Sequence, residues 1–510
     1  MSLPATVMLD RWSLLRLLRV LVPIALLALA GALFSSLFHS AWGLPRAWSD
    51  ASLAESGVAS TLLESRQYRL GALGEIPAHS GALWHMLLWV GAGVWGRVEA
   101  VAAVLSLLCT VGTMIAASRL ARDLFSGNIF VWGVMLALAV SPALLDSLAG
   151  QSSGALLLFL MMMAVKRHLD GMRGKAPVLS PLVALYAGLA GLVDPGVVLL
   201  YPLLALHAVL AAPRIERESI GRSVIATRAA MGVLILLLIV WPVVDLNIRT
   251  FRSPLPAPPL PGWDSAGWLA WLGAGRLQIL PLLFGLLALV AARLKPLRDP
   301  FVSLLLILAP GLFLMEPVCR HMGWQGGDSF RTLLEPLLLL ALGWMTLAVV
   351  RGLGGDPVSR GNAGAVAAFS LIVLSAAMTV LIARNTLRTA TTQAASLGEL
   401  LPASSVDPAL VVATDLPGWM HHAGYRQIID LTGRSCDDVL RCVDADQTLN
   451  HDELLQLFRA RQPGLVLLRS PDYSWIQPRL VEEIGRKNVS TTVVPYGVDS
   501  LQLLHLTWSP

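Results

Sequence analysis

The sequence predicts a polytopic α-helical membrane protein of about 11 transmembrane helices with a small C-terminal extracytoplasmic α/β domain. Three observations predict it. Apolar residues make up 55% of the 510 and charged residues only 14%, whereas about a quarter of a soluble domain is charged; the mean hydropathy is +0.67. Basic residues gather in short loops on alternate sides of the apolar runs, the pattern that fixes orientation in a bilayer. Beyond about Ala394 the long apolar runs give way to short alternating segments. A soluble globular protein is excluded. The net charge of +5 reflects these loops and does not point to nucleic acid.

The first apolar run, from about Leu14 to His39, follows Arg11 and contains Arg16 and Arg19 near its start. It is longer than a signal-peptide core and has no convincing small-residue cleavage site, so it reads as a retained span with the N-terminus inside. Further spans are expected near 98 to 117, 126 to 145, 150 to 165, 178 to 193, 196 to 212, 229 to 246, 277 to 293, 300 to 316, 332 to 350 and 363 to 383. One set of loops then carries Arg119 and Arg122; Lys166, Arg167, Arg173 and Lys175; Arg214, Arg217, Arg222 and Arg228; Arg293, Lys295 and Arg298; and Arg351 and Arg360. That face is expected to be cytoplasmic. Asp194-Pro195-Gly196 divides the run Leu179 to Leu210 into two spans; a single kinked helix there would invert every later loop. Trp84 to Trp95 is apolar but short and rich in Trp, and reads as an interfacial helix on the outer surface. Residues 1–390 thus form the membrane domain, with a long first periplasmic loop at 40–97, and residues 391–510 a periplasmic α/β domain.

Within that tail, Val411 to Thr414, Gln427 to Asp430, Leu465 to Leu468 and Thr491 to Val494 read as strands, and Glu453 to Arg461 and Ile476 to Arg486 as helices. Of the four cysteines, Cys109 falls in a span, Cys319 in an outer loop, and Cys436 and Cys442 lie close enough for a small-loop disulfide in an oxidising compartment. No metal-type Cys and His spacing, phosphate-binding glycine loop or nucleophile-elbow serine is present.

The outer loops hold most of the chemically capable groups. The first supplies Asp50, directly after the first span, with Glu55, Arg66, His79, Ser80 and His85; the loop after the ninth span supplies Arg320, His321, Asp328 and Arg331. An acid just outside a span is often only a solvated helix end, Arg331 can snorkel to the interface, and the histidines suit structural places. Yet acids and cations gathered on one rim are also what a group transfer at a lipid surface needs: a carboxylate to take a proton and a cation or metal to steady a leaving phosphate.

Three segments carry a family resemblance. Ser49-Asp50-Ala51-Ser52-Leu53, leading through Tyr68-Arg69 to Ala78-His79-Ser80-Gly81-Ala82-Leu83-Trp84, is similar to an acidic motif and following turn; Gly326-Gly327-Asp328-Ser329-Phe330-Arg331 with Pro336 resembles a Gly-Gly-Asp and Arg motif; Ile428-Ile429-Asp430-Leu431-Thr432-Gly433 is similar to an Asp-Leu-Thr-Gly motif. In this order the chain resembles the integral-membrane glycosyltransferases of the GT-C fold, and more closely their arabinofuranosyltransferase-like branch, which depends on polyprenyl-phosphate sugars. The resemblance implies an inverting transfer from a polyprenyl-phosphate sugar donor to a glycan, lipid or protein acceptor outside the bacterial cytoplasmic (inner) membrane. It implies Asp50 as the catalytic base, Arg320 and Arg331 as phosphate contacts and Asp328 as an orienting group; Glu55, Arg66, His79, Ser80, His85 and His321 complete the expected substrate site. Ser49 stands where the branch has the first acid of a pair, and Ser56 where it tends to have an Arg. No metal ligand is therefore assigned and divalent-metal dependence is left open. Those two serines also motivate a second reading, a catalytically inactive GT-C-like scaffold or partner subunit in surface-glycan assembly. A transporter ranks lower, since few ionisable groups fall near the middle of the spans.

Overall fold

The computed structural model describes residues 50–68, 81–124, 128–139, 152–211, 222–251 and 300–308, isolated positions at 70, 141, 144 and between 311 and 344, and 407–508 apart from 433–436, 444–448, 470–472 and 497–498. The expected spans at 14 to 39, 277 to 293 and 363 to 383 lie outside the described residues.

The helical part contains α1 (Asp50–Ser65), α2 (Ala82–Trp95), α3 (Val98–Leu124), α4 (Asn128–Ala139), α5 (Ser153–Met172), α6 (Pro181–Gly191), a 3₁₀ turn (Pro195–Leu199), α7 (Leu200–Ala211), α8 (Arg222–Phe251) and a helical segment over 300–308. Two described helices, over Val98–Leu124 and Ser223–Arg249, are long and apolar enough to cross a membrane. At 1.5 Å per residue, 27 residues reach about 40 Å, more than the roughly 30 Å of hydrocarbon. α8 turns Leu234, Leu237, Leu238 and Trp241 outward, as a lipid-facing helix does.

Packing fixes the directions of the helices. Gly112 of α3 faces Phe159 of α5, so closely that a Cβ would lie 2.5 Å from the ring. Asp123 near the end of α3 pairs with Lys166 (3.8 Å) and Arg173 (3.4 Å) near the end of α5 and with Lys175 (2.5 Å) just beyond it. α3 and α5 therefore run parallel, and α3 begins about 12 Å before the level at which α5 starts. The Asp194 break is a true reversal. Val178 and Leu179 before α6 pack with Ala208 and Ala211 at the end of α7, and with Met172 and Ile225, so the two legs return to one end of the bundle. Asp194 caps the reversal by accepting from the Gly196 amide at 3.0 Å. Buried His168 of α5 hydrogen-bonds His207 of α7 at 2.7 Å, and His207 hydrogen-bonds Ser303 at 2.8 Å, which ties three helical segments near that same end.

The C-terminal part is a five-stranded mixed sheet in the order β2-β1-β3-β5-β4, built from β1 (Val411–Thr414), β2 (Gln427–Asp430), β3 (Leu465–Leu468), β4 (Val489–Tyr496) and β5 (Asp499–Leu506). β1 pairs parallel with β2 and β3; β5 pairs antiparallel with β3 and β4. Between strands lie α9 (Pro417–Ala423), α10 (Asp437–Leu440), α11 (His451–Arg461) and α12 (Ile476–Ile484). The central strands are apolar throughout because both faces are covered. Ala413, Ile429 and Val466 pack with Leu454, Phe458 and Leu480 of α11 and α12, whereas Val412, Ile428 and Leu465 pack with Met420 of α9. The free face of α9 rests on α1. In the Asp430-Leu431-Thr432 segment, the Asp430 carboxylate accepts from the Thr432 amide (2.9 Å) and hydroxyl (2.7 Å), so this motif builds the turn that ends β2. Cys442 is a buried free thiol donating to the Asp438 carbonyl; Cys436 lies outside the described residues.

Candidate active site

Asp50 is the first residue of α1. The buried side of α1 carries Leu53, Ser56, Val58, Ala59 and Thr61. Its C-terminal end is exposed, and Arg66 closes it with a left-handed φ of 57°. Sixteen residues separate Asp50 from that end by about 24 Å. The structure thus does not bring Arg66 to Asp50; it places Arg66 as the helix terminus.

Glu55 lies one and a half turns beyond Asp50 and reaches the N-terminus of α5. Its carboxylate accepts from the Ser153 amide at 3.0 Å and the Ser153 hydroxyl at 2.5 Å. Ser152, the N-cap of α5, makes no side-chain cap of its own, so the acid of another helix does that work. Burial outweighs both Ser153 bonds and pushes the Glu55 carboxyl up to about 7.

Beside it, the Tyr68 hydroxyl and His85 Nδ1 are 2.6 Å apart. Burial, then the charge of Glu55, raises the Tyr68 phenol above its ordinary range, and burial lowers the His85 imidazole to about 4. Both are neutral near pH 7. His85 Nε2 is buried without a partner among the described residues. It looks onto Gly81, where a Cβ would lie 3.1 Å from that nitrogen and φ is +72°. Gly81 in turn is fastened to the reversal between α6 and α7, its amide donating to the Val193 carbonyl at 2.8 Å.

Of the expected site residues, then, Glu55 and His85 fall into one cluster, on the end of the bundle where α5 starts. Tyr68 and Ser153 join them and were not among the expected contacts. Tyr68 sits in the same loop motif, but Ser153 is 98 residues from Glu55, a distance over which local pattern carries no signal. His79, Ser80, Arg320, His321, Asp328 and Arg331 lie outside the described residues. Among the described residues no group of three or more His, Cys, Asp or Glu is arranged to hold a metal ion.

No family model matches the chain, and no curated protein does. Solved structures do match in fold. ArnT from Cupriavidus metallidurans bound to undecaprenyl phosphate superimposes with a TM-score of 0.53 at 14% identity, over 95% of this chain and 99% of that one. The oligosaccharyltransferase AglB from Archaeoglobus fulgidus, in complex with an inhibitory peptide and a dolichol-phosphate, gives 0.55 at 12% identity, over 96% and 75%. The apo Archaeoglobus fulgidus oligosaccharyltransferase gives 0.52 at 13% identity, over 95% and 74%. The chain therefore shares the GT-C fold of these structures.

Proposed function

We propose that this protein is an inverting membrane glycosyltransferase that moves a sugar from a polyprenyl-phosphate donor to a glycan, lipid or protein acceptor outside a bacterial cytoplasmic membrane. One observation carries the reading: in a chain of GT-C fold, the helix directly following the first expected span begins with an acid, Asp50, and is fastened to the bundle through Glu55 and Ser153. On this reading the acceptor oxygen bonds to the anomeric carbon from the face opposite the phosphate. Asp50 takes the hydroxyl proton, the sugar–phosphate C–O bond breaks, and the electron pair leaves on the polyprenyl phosphate. Arg320 and Arg331 hold that phosphate, Asp328 serves as an orienting group, and His79, Ser80 and His321 complete the pocket.

The Glu55 carboxyl, raised towards 7 by burial, is matched to holding α1 in place more than to acting as base, since Ser153 already occupies both its oxygens. The α5 start, α1 and the sheet domain share one end of the bundle, while Lys166, Arg173 and Lys175 with Asp123 share the other. With the more basic end cytoplasmic, the N-terminus lies inside, residues 391–510 lie in the periplasm, and α2 rests in the outer interface. Its 14 residues reach about 21 Å, and Trp89, Val94 and Trp95 face outward as an interfacial helix requires.

Asp50→Asn tests the proposal. A loss of at least about 100-fold in transfer, with unchanged expression and melting temperature, is expected; a full rate in that variant contradicts it. A second reading, the inactive scaffold, rests on Ser49 and on Ser56, which is buried on α1 where the similar branch tends to carry Arg. Co-purification with another membrane transferase, together with no turnover of its own, would support it.

A further inference from the structure

Gly57 stands in the middle of α1, where glycine is a poor helix former, and the sheet domain supplies the reason for it. A Cβ at Gly57 would lie 2.8 Å from Nδ1 of His421 and 2.6 Å from Cδ1 of Leu70. His421 projects from α9, whose Met420 is buried in the sheet core, so α9 is held between the sheet and α1. Arg426 Nη1 donates to His421 Nε2 at 2.9 Å. That nitrogen is thus unprotonated, the hydrogen resides on Nδ1, and the Nδ1 edge of the ring is the one laid on α1. Burial, with Arg426 and His422, lowers the imidazole to about 4, so the ring stays neutral and seated through the physiological range.

The register of α1 gives this contact its meaning. Gly57 follows Asp50 by seven residues, about 10.5 Å along the axis and within about 20° of the same angular position. Glu55, which Ser153 grips from the bundle, is two residues from Gly57 and about 200° around the helix. α1 is therefore clamped on opposite faces, by the bundle at Glu55 and by the sheet domain at Gly57.

We infer that His421 is a positioning residue for the transfer reaction: seated on Gly57 and held by Arg426, it sets the height and rotation of α1 and thereby the place of Asp50. This rests on the transferase reading and deepens it, because it gives the sheet domain a part in the chemical step besides any part in holding acceptor.

The test uses the full-length protein in lipid nanodiscs with a synthetic polyprenyl-phosphate sugar donor. Transfer is measured for wild type, Asp50→Asn, Gly57→Ala, His421→Ala and the double variant Gly57→Cys with His421→Cys, the last both reduced and oxidised, its cross-link verified by mass spectrometry. A small misplacement of a reacting group costs up to about 100-fold. His421→Ala, Gly57→Ala and the reduced double variant should accordingly lose about 10-fold or more in kcat, with donor KM within about 3-fold of wild type. Oxidation of the double variant should restore kcat, because the disulfide re-seats α9 on α1. If His421→Ala only lowers the melting temperature while the folded protein keeps its kcat, and oxidation changes nothing, the contact is merely structural and the inference falls while the transferase reading stands. If wild type transfers nothing, or Asp50→Asn transfers as well as wild type, the transferase reading falls and takes this inference with it. Should Gly57→Ala fail to fold, His421→Ala and the redox pair still decide the matter.

Discussion

Glu55 lies on the same helix as Asp50, and its burial has a measurable consequence. The folded Glu55 carboxyl is raised to about 7 by burial, so between its ordinary value of 4.5 and 7 the unfolded chain has released this proton while the folded chain keeps it. Stability contributed by this group is then present at low pH and lost as pH rises through that window, by at most about 1.4 kcal/mol per pH unit. Glu55→Gln keeps an oxygen for Ser153 and removes the titration. The melting temperature of wild type minus that of Glu55→Gln should therefore fall between pH 5 and 7.5; a difference that rises instead would mean an ionised, well-paired Glu55. Tyr68 makes a second residue-scale case. Tyr68→Phe leaves His85 Nδ1 buried without its 2.6 Å partner, at a cost of about 1–3 kcal/mol. Thermal unfolding should show that loss, and an unchanged midpoint would show that water reaches the ring.

Among the elements, buried polar pairs hold helices that apolar packing alone would let slide. His207 lies between His168 of α5 and Ser303, and all three are buried. His207→Leu should destabilise the bundle by about 1–3 kcal/mol because it strands His168, and adding His168→Leu should recover part of that in a double-mutant cycle; strict additivity would dissolve the link. Which elements were legible in the chain follows from how local their causes are. β1, β2 and β3 announced themselves as short apolar runs because both their faces are covered. The reversal at Asp194 was legible too, since Asp-Pro-Gly supplies its own cap. By contrast α9, Pro-Gly-Trp-Met-His-His-Ala, offers no apolar period. It is a helix because Pro417 starts it, Gly424 ends it in a left-handed turn and two surfaces, sheet and α1, enclose it. β5 escaped notice because Gln502 and His505 interrupt its leucines, although Leu501, Leu503, Leu504 and Leu506 are all buried. The contacts that hold α1 were not legible in the same way, because Ser153 and His421 reach it from far along the chain.

On the scale of the whole molecule, the proposed function separates anchoring from chemistry. The long helices α3 and α8 exceed the hydrocarbon thickness. The cationic cluster around Asp123 marks one end, and α1, the start of α5 and the sheet domain build the other. On the proposed function, a carboxylate base at that end would work on a donor whose lipid stays in the bilayer, so only the sugar need leave the membrane surface. The most direct measurement is transfer of a labelled sugar from a panel of synthetic polyprenyl-phosphate donors by the purified protein in lipid, with and without divalent metal, wild type beside Asp50→Asn. Wild type should turn over at least one donor and Asp50→Asn should not; no binding or turnover of any donor, or equal turnover by both proteins, rules out the transferase reading.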